Sequence, residues 1–501
     1  MNRSRLFAVL LPLMMTGCSD PQFAGSEPSQ QSEAQQPLLN IVMMQPPRSG
    51  LSPLSDDAFK LSRWSTAETL VQLTPEGIAS PMLATEWRQL SPTVWQFTLR
   101  PNVHFHNGQA LTSDAVVNAL QQALQAAPKP RILDGIHWQV QALDASTIEI
   151  TSNSPDPLLP SRLSSPQLAI LAPSAYQENG RVDPTQAGTG PFVLSQINGQ
   201  TSATLHRFDG YWGEPAKIAG IFAEYVPNGF ARGAALRTGQ ADVVEAVPVS
   251  QAALIDASYL YEVAMPRTNT LYLNQKSPVF SQLSLRQAAS QAINREQIIN
   301  TVYEGRADLA QGLLGPALAW AAPLRAQQPS AQTLALHQAH GEHIVIGTFT
   351  DRAELPEVAV LLKQQLEQAG FNVTLDVREY AQIENDALAG KFDAFLLSRA
   401  TVLDSGDPVA YMQSDFGCQG SFNLGQFCSE EVDAALQVAS QYPLGSERQQ
   451  AIIAAEQQIL AAHAAIPLLH ERVLQGERGT LLHVQRDPTE RRLITEHTTR
   501  P

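Results

Sequence analysis

The alternation of apolar and polar residues predicts a β-strand near the middle of the chain. Residues 269–275 read Asn-Thr-Leu-Tyr-Leu-Asn-Gln, which has the two-residue period of a strand. A turn containing Pro278 follows, and residues 285–299 then carry apolar positions at helical spacing. We predict that the strand is a crossing point between two lobes, one built by the chain before it and the other mostly by the chain after it.

Strand and helix patterns alternate on both sides of this crossing. Residues 344–349 and 371–377 are predicted strands, and residues 358–368 between them form an amphipathic helix. Such a strand–helix–strand unit favours a parallel sheet in the second lobe. Further predicted elements are strands at 38–44, 94–100, 392–397 and 465–469, and helices at 65–73, 112–124, 429–439 and 446–462. From Arg486 onward the chain is polar, which predicts a weakly ordered tail.

The N-terminus has the composition of an export signal followed by a tether. Arg3 and Arg5 precede the apolar run 6–15, which fits the core of a signal peptide and is too short to span a bilayer. The small residues before Cys18 resemble a bacterial lipobox, which implies cleavage before Cys18 and lipidation of its thiol. The alternative is an ordinary secreted protein with a cysteine near its cleavage site. Residues 18–37 are mostly Ser, Gln, Pro and Glu, which predicts a disordered tether.

Composition narrows the classes of function and the compartment. With 501 residues, 44% of them hydrophobic, the chain is too long for one ordinary domain, and its net charge of -15 argues against a nucleic-acid partner. Three cysteines are present. If Cys18 carries lipid, Cys418 and Cys428 remain, and an oxidising compartment predicts a disulfide between them, with two buried free thiols as the alternative.

A series of short phrases in a fixed order resembles one family. The series consists of Leu83-Ala84-x-x-Trp87, the strand ending at Leu99-Arg100, Gly188-Thr-Gly-Pro-Phe192, Asp209-Gly-Tyr-Trp-Gly213, residues 235–242 and the helix 285–296. Together they resemble the extracytoplasmic solute-binding proteins of peptide/nickel ABC importers, solute-binding protein family 5. The resemblance covers the chain from residue 38 to about residue 480.

The resemblance implies an α/β fold and a domain division. The fold would be the two-lobe periplasmic-binding-protein fold (type II, cluster C-like), with a hinge between the lobes and an extra subdomain in lobe I. The predicted division is a lipoprotein signal peptide at 1–17, a disordered tether at 18–37, lobe I at 38–268 with an inserted subdomain at about 53–184, lobe II at 269–470, and a return to lobe I with a polar tail at 471–501.

The loop after the strand 392–397 is the main candidate for solute contact, because loops at the carboxyl ends of strands in open α/β sheets face the crevice. In peptide-binding relatives an aspartate of this loop pairs with the peptide ammonium, and Asp404 resembles it. Helix capping by Asp404 or Asp407 is the alternative. Thr401 stands where peptide binders place a tryptophan. Arg399 resembles an arginine of nickel-type relatives, which can fork onto a chelator carboxylate.

The remaining predictions for the site concern further candidate solute contacts and the question of a bound metal. Asn423 lies in the loop bounded by the two cysteines, and Arg63, Trp64 and Arg131 are further candidates for the cleft. The pair His104 and His106 could hold a metal, but the family uses this place as an ordinary strand and turn, so no protein metal site and no cofactor are predicted. If a metal is carried, a small chelator supplies most of its ligands.

The sequence also lacks the common catalytic motifs, so no enzymatic activity is predicted. We predict a monomeric, exported, lipid-anchored protein that faces the periplasm, or the exterior of a cell with one membrane. It would capture a short peptide or a nickel–chelator complex and deliver it to an ABC permease. A tethered sensor or chaperone on the same fold is the alternative.

Overall fold

The computed structural model describes residues 37–74, 77–328, 337–402 and 405–501. Strands and helices alternate along these residues. The strands are β1 (Leu39–Met43), β2 (Val71–Leu73), β3 (Ala79–Pro81), β4 (Ala84–Ser91), β5 (Val94–Leu99), β6 (Trp138–Asp144), β7 (Thr147–Ser152), β8 (Phe192–Asn198), β9 (Ser202–Arg207), β10 (Gly220–Tyr225), β11 (Val243–Val247), β12 (Leu260–Leu273), β13 (Ala307–Leu309), β14 (His343–Phe349), β15 (Asn372–Arg378), β16 (Ala394–Ala400) and β17 (Ala465–Glu477). The α-helices are α1 (Ala58–Arg63), α2 (Ser113–Gln125), α3 (Leu159–Arg162), α4 (Gly229–Thr238), α5 (Leu283–Ala292), α6 (Arg295–Val302), α7 (Ala321–Ala326), α8 (Glu354–Gln368), α9 (Tyr380–Leu388), α10 (Pro408–Phe416), α11 (Glu430–Gln441) and α12 (Ser446–Ala461).

Two long antiparallel strands, β12 and β17, connect the two lobes. They pair from Leu260 to Tyr272 of β12, with a break in register between Ala264 and Thr268. Beyond β12 the sheet continues through β16, β14 and β15, and beyond β17 it continues through β11, β1, β10, β9 and β8. The predicted strand at 269–275 is therefore confirmed for residues 269–273, which form the last part of β12. The predicted boundaries at 268/269 and 470/471 both fall inside continuous strands.

The second lobe contains the predicted strand–helix–strand unit. β14 and β15 pair in parallel from His343 with Asn372 to Phe349 with Arg378, and α8 connects them. The buried residues of α8 include Leu355, Val358, Leu362 and Leu366, which follow the predicted helical spacing. Local hydrophobic period was therefore sufficient to predict this part of the fold.

The first lobe carries a separate sheet between β1 and β8. Its strand order is β4-β5-β7-β6, and all its pairs are antiparallel. Helix α2 packs on it and begins at Thr112, whose side chain accepts a hydrogen bond from the amide of Ala115 at 3.3 Å, as the sequence predicted. One hydrophobic core surrounds this sheet and β8–β10, and a second core fills the other lobe and extends to α4 and β11.

The helix predicted at residues 65–73 is absent, and this prediction is wrong. The helix of this region is α1, which ends at Arg63, and Ser65 has a positive φ of 50°. The carbonyl of Glu68 accepts from the amide of Ile170 at 2.9 Å, and that of Leu70 accepts from the amide of Ala84 at 2.8 Å. Since these carbonyls bond to distant segments, tertiary packing overrides the local helical pattern.

The helix predicted at 285–299 is two helices, α5 and α6. Asn294 separates them, and its side chain caps α6 by accepting from the amide of Gln297 at 3.0 Å. An asparagine inside a helical pattern can compete with the backbone in this way, so it ends one helix and starts the next.

The tail after Arg486 is well packed, so the prediction of weak order is wrong. Leu493 and Ile494 are buried, and their amides donate to the carbonyl of Arg63 at 3.1 and 2.9 Å. Leu482 and Thr499 pair as an antiparallel bridge. The tail therefore completes the core of the first lobe.

Stability should fall as the pH drops from about 6.5 to 4, in part because of His106. Burial lowers the pKa of His106 from 6.5 to about 4, although a hydrogen bond to the carbonyl of Gly190 acts in the opposite direction. The unfolded chain binds the proton more readily over this range, so protonation favours unfolding by up to about 3 kcal/mol. His106→Gln should flatten the dependence of the unfolding free energy on pH between pH 7 and 4.5, measured by urea denaturation.

The matched control is His104→Gln, since His104 is exposed on the same segment. Equal profiles for the two variants would contradict the assignment.

Candidate functional site

A cavity lies between the two lobes at the carboxyl ends of β1, β14 and β16. It contains about 970 Å³ of empty space, part of it open to solvent. This is where open α/β sheets bind their ligands. Its wall includes the aromatic residues Phe59, Phe349, Tyr380 and Phe422.

The wall of the cavity is strongly cationic. Among the described residues, seven cationic but only three acidic side chains line it. The cationic residues are Arg48, Lys60, Arg63, Arg131, Arg267, Arg352 and Arg399, and the acidic ones are Asp56, Glu245 and Glu490. The partners of Arg352, Arg399 and Lys60 are Glu471, Asp415 and Asp57, which do not line the cavity. The surface that faces the cavity therefore carries more positive than negative charge.

One end of the cavity is organised around Asp56. The guanidinium of Arg131 lies 2.8 Å from its carboxylate and that of Arg48 lies 3.3 Å from it. Burial tends to raise the pKa of Asp56, but the charges of Arg131 and Arg48 prevail and lower it to about 2. Arg48 also forms an ion pair with Glu384 of α9 and lies 5.1 Å from the ring centre of Tyr380. Arg48 thus ties the segment after β1 to a helix of the other lobe.

Arg399 lies at the end of β16, between the two ends of the cavity. Its guanidinium forks onto Asp415 of α10, with N–O distances of 2.8 and 2.7 Å. Asp415 also accepts from the hydroxyl of Tyr272 at 2.9 Å, and the Arg399 guanidinium lies 4.6 Å from the ring centre of Phe422. Burial tends to lower the pKa of Arg399, but Asp415 raises it, so Arg399 stays charged. Both arms of its guanidinium fork are bonded to Asp415, and Arg399 contributes to the wall of the cavity.

The other end of the cavity contains residues that sequence reasoning missed. Arg267 of β12 forks onto Glu490 of the C-terminal tail at 2.5 and 2.7 Å, and Arg63 pairs with Glu245 at 2.8 Å. Burial tends to raise the pKa of Glu490, but the charge of Arg267 prevails and lowers it to about 2. Arg267 lies two residues before the predicted crossing strand, and this position was the signal that could have pointed to it. The polar appearance of the tail concealed Glu490.

The structure brings some of the predicted site residues to the cavity and places others elsewhere. Arg399, Arg63 and Arg131 line it. Trp64 is fully buried beside Tyr225, with ring centres 6.4 Å apart, so the expectation that it reaches the cleft is corrected.

The side chains of Thr401 and Asn423 form hydrogen bonds with backbone carbonyls of the protein. Thr401 is buried, and its hydroxyl donates to the carbonyl of Pro266 at 2.9 Å. The side-chain amide of Asn423 donates to the carbonyls of Gly417 and Phe427 at 3.1 and 2.6 Å, which holds its own loop. Neither residue lines the cavity, and both expectations are corrected. Asp404 lies outside the described residues, so its predicted contact with an ammonium stays a prediction.

The predicted disulfide is confirmed by the structure. Cys418 and Cys428 are joined, with an S–S distance of 2.07 Å. The loop that they close carries Phe422 under Arg399 and Ser421, whose hydroxyl bonds to Asp134 of the first lobe. The loop therefore contributes to the wall of the cavity. Cys18 lies outside the described residues.

Two features are absent from the part of the chain that the structure describes. It contains no group of three or more His, Cys, Asp or Glu side chains that could hold a metal ion. Its helices are also too short or too polar to cross a membrane.

The cavity lies between two lobes, and the same two long strands run through both lobes. This arrangement is typical of the two-lobe solute-binding proteins. Residues 79–423 match the sequence profile described as bacterial extracellular solute-binding proteins, family 5. The chain belongs to this family, and the resemblance inferred from its short sequence motifs is confirmed. It is therefore a binding protein and not an enzyme, and its family is extracellular.

Two curated relatives illustrate the range of solutes in the family. The chain is 25% identical to the nickel-binding protein NikA of Staphylococcus aureus over 436 residues, which are 84% of this chain and 83% of that protein. It is 26% identical to the glutathione-binding protein GsiB of Escherichia coli O1:K1 over 298 residues, which are 57% of this chain and 58% of that protein. The chain thus spans little more than half of GsiB.

Solved structures agree on the fold. The structure of S. aureus NikA in complex with Ni(L-His)2 superposes with a TM-score of 0.81 at 21% identity, covering 92% of this chain and 99% of that one. The structure of DppA from Helicobacter pylori in complex with the peptide STSA gives a TM-score of 0.78 at 21% identity, with coverage of 92% and 98%. The two-lobe α/β fold is therefore confirmed.

Proposed function

We propose that this protein is the lipid-anchored solute receptor of an ABC importer, and that its solute carries several carboxylates. Lipid on Cys18 would hold it at the membrane, with residues 18–37 as the tether and the cavity facing the periplasm or the cell exterior. The lobes close on the solute about β12 and β17, and the closed, monomeric form delivers it to the permease. The solute must bind the closed form better than the open form, or closure would transmit no signal.

The observation that carries the proposal is the excess of cationic side chains on the cavity wall. A solute carboxylate there interacts with Arg131, Arg48 and Arg399, and closure of the lobes would shield these charge–charge contacts from water and so strengthen them. The positive charge of the wall favours two kinds of solute. One is a metal chelate of the kind that a nickel-type relative binds, and the other is a short acidic peptide. A neutral peptide would bring no net negative charge to these cationic side chains.

Native mass spectrometry of the purified, untagged protein tests the proposal. We expect an added mass with the isotope pattern of nickel or another transition metal, or the mass of an acidic peptide, because closed clefts retain their solute. A bound molecule that carries fewer than two carboxylates would contradict the proposal. If the protein is purified without a solute, titration with Ni(L-His)2, Fe(III)–EDTA and a neutral tripeptide decides: tightest binding of the tripeptide would overturn it.

A further inference from the structure

The C-terminal tail builds a turn that presents one carboxylate to the cavity. The turn is centred on Asp487, whose side chain accepts from the amide of Thr489 at 2.8 Å and from the amides of Arg491 and Arg492 at 3.1 Å. The backbone of Glu490 adopts a positive φ of 57°, and its amide donates to the carbonyl of Asp487 at 3.0 Å. The left-handed conformation is uncommon for a glutamate and is held here by the surrounding bonds.

The turn is fixed to the first lobe on both sides of Glu490. The guanidinium of Arg491 donates to the carbonyl and hydroxyl oxygens of Ser164, each at 2.8 Å. Leu493 and Ile494 bond to the carbonyl of Arg63, as described above, and Arg63 itself lines the cavity. The position of the Glu490 carboxylate is therefore set by the protein before any solute arrives.

The guanidinium that receives this carboxylate stands at the crossing between the lobes. Arg267 lies within the break in register of β12, and it bonds Glu490 through Nε and Nη2. Its Nη1 donates to the carbonyl of Ser398 in β16 at 2.9 Å. Since its donors are directed at these two partners, the fork of Arg267 cannot also bind a solute carboxylate in the same way.

We propose that Glu490 is a specificity-determining residue: it occupies Arg267 permanently and so limits how many carboxylates the solute can place in the cavity. A carboxylate that displaced Glu490 would leave a second negative charge close to its own, in a site with little water. The carboxylates of the solute are therefore directed to the opposite end, where Arg48 and Arg131 lie beside Asp56. This inference rests on the proposed function, because it assumes an anionic solute.

The test compares the affinities of Glu490→Gln and the wild type for two chelates, Fe(III)–EDTA, which is rich in carboxylate arms, and Ni(L-His)2. Glutamine has the shape of glutamate but does not hold the Arg267 fork as a charge pair. We expect Glu490→Gln to bind Fe(III)–EDTA at least about 10-fold more tightly, with a much smaller change for Ni(L-His)2. An unchanged ratio of the two affinities would overturn the inference.

A matched control distinguishes the effect of releasing the Arg267 guanidinium from the effect of removing one negative charge. Glu245→Gln removes one charge from the same end of the cavity and leaves the pair between Arg267 and Glu490 intact. If Glu245→Gln shifts the ratio as much as Glu490→Gln, the effect is general electrostatics and the inference is wrong. Glu490→Asp keeps the charge with a shorter reach, so it should lie between the wild type and Glu490→Gln. Failure of the wild type to bind either chelate would instead contradict the proposed function.

Discussion

Arg399→Ala should lower the unfolding free energy by about 3–5 kcal/mol and weaken the binding of a carboxylate-bearing solute by at least about 10-fold. The loss of stability follows because Asp415 is fully buried, so that without Arg399 it must either stay an uncompensated charge or take up a proton. The loss of affinity follows because Arg399 contributes positive charge at the centre of the cavity. Urea denaturation and calorimetric titration with a Ni(II) chelate measure the two effects.

Arg448→Ala is the matched control, because it breaks an equivalent pair away from the cavity. Arg448 is buried and forks onto Asp407 at 2.7 and 2.8 Å, and Asp407 caps α10 by accepting from the amide of Val409. This arrangement confirms capping as the role of Asp407. Arg448→Ala should cost similar stability and leave the affinity unchanged. If both variants lose affinity equally, Arg399 acts only through folding.

Gly190→Ala should cost more than about 4 kcal/mol of stability or prevent folding. A β-carbon at Gly190 would lie 2.0 Å from the carbonyl oxygen of Ser65, and the amide of Gly190 already donates to the carbonyl of Thr66 at 3.2 Å. Both contacts are with backbone, which cannot move aside as a flexible side chain can. The yield of soluble protein and the urea midpoint measure the effect.

Gly479→Ala is the control for this substitution. The nearest atom to its added β-carbon is the ring edge of Tyr259, 3.1 Å away, and a ring can shift by the small amount required. This variant should lose less than about 1 kcal/mol. Equal losses for the two variants would show that the close approach of the Gly188–Phe192 segment to residues 65–66 is not what requires glycine.

The sequence predicted those parts of the fold that depend on local pattern. β14, α8 and β15 carry a regular hydrophobic period, and their pairing follows from the handedness and connectivity of such units. The prediction for residues 65–73 failed because their backbone carbonyls bond to Ala84, Ile170 and Gly190, which follow their partners by 14, 102 and 124 residues in the chain. The pattern of apolar and polar residues along the chain does not show which distant residues will become hydrogen-bond partners.

The same distinction explains the site. Arg399 was predicted because it follows a recognisable buried strand within a loop that resembles the family. Arg267 and Glu490 are 223 residues apart in the chain, and neither is unusual in its own neighbourhood. Their significance comes from the packing of the tail, and the apparent polarity of that tail concealed the buried Leu493 and Ile494.

The shared strands also determine the order in which the chain can fold during synthesis. The first lobe starts at β1, but its sheet includes the end of β17 and its core includes Leu493 and Ile494. This lobe cannot complete its core until Leu493 and Ile494 have been made. Until then the first lobe stays incompletely folded, and an incompletely folded chain can pass through a translocation pore as an extended thread.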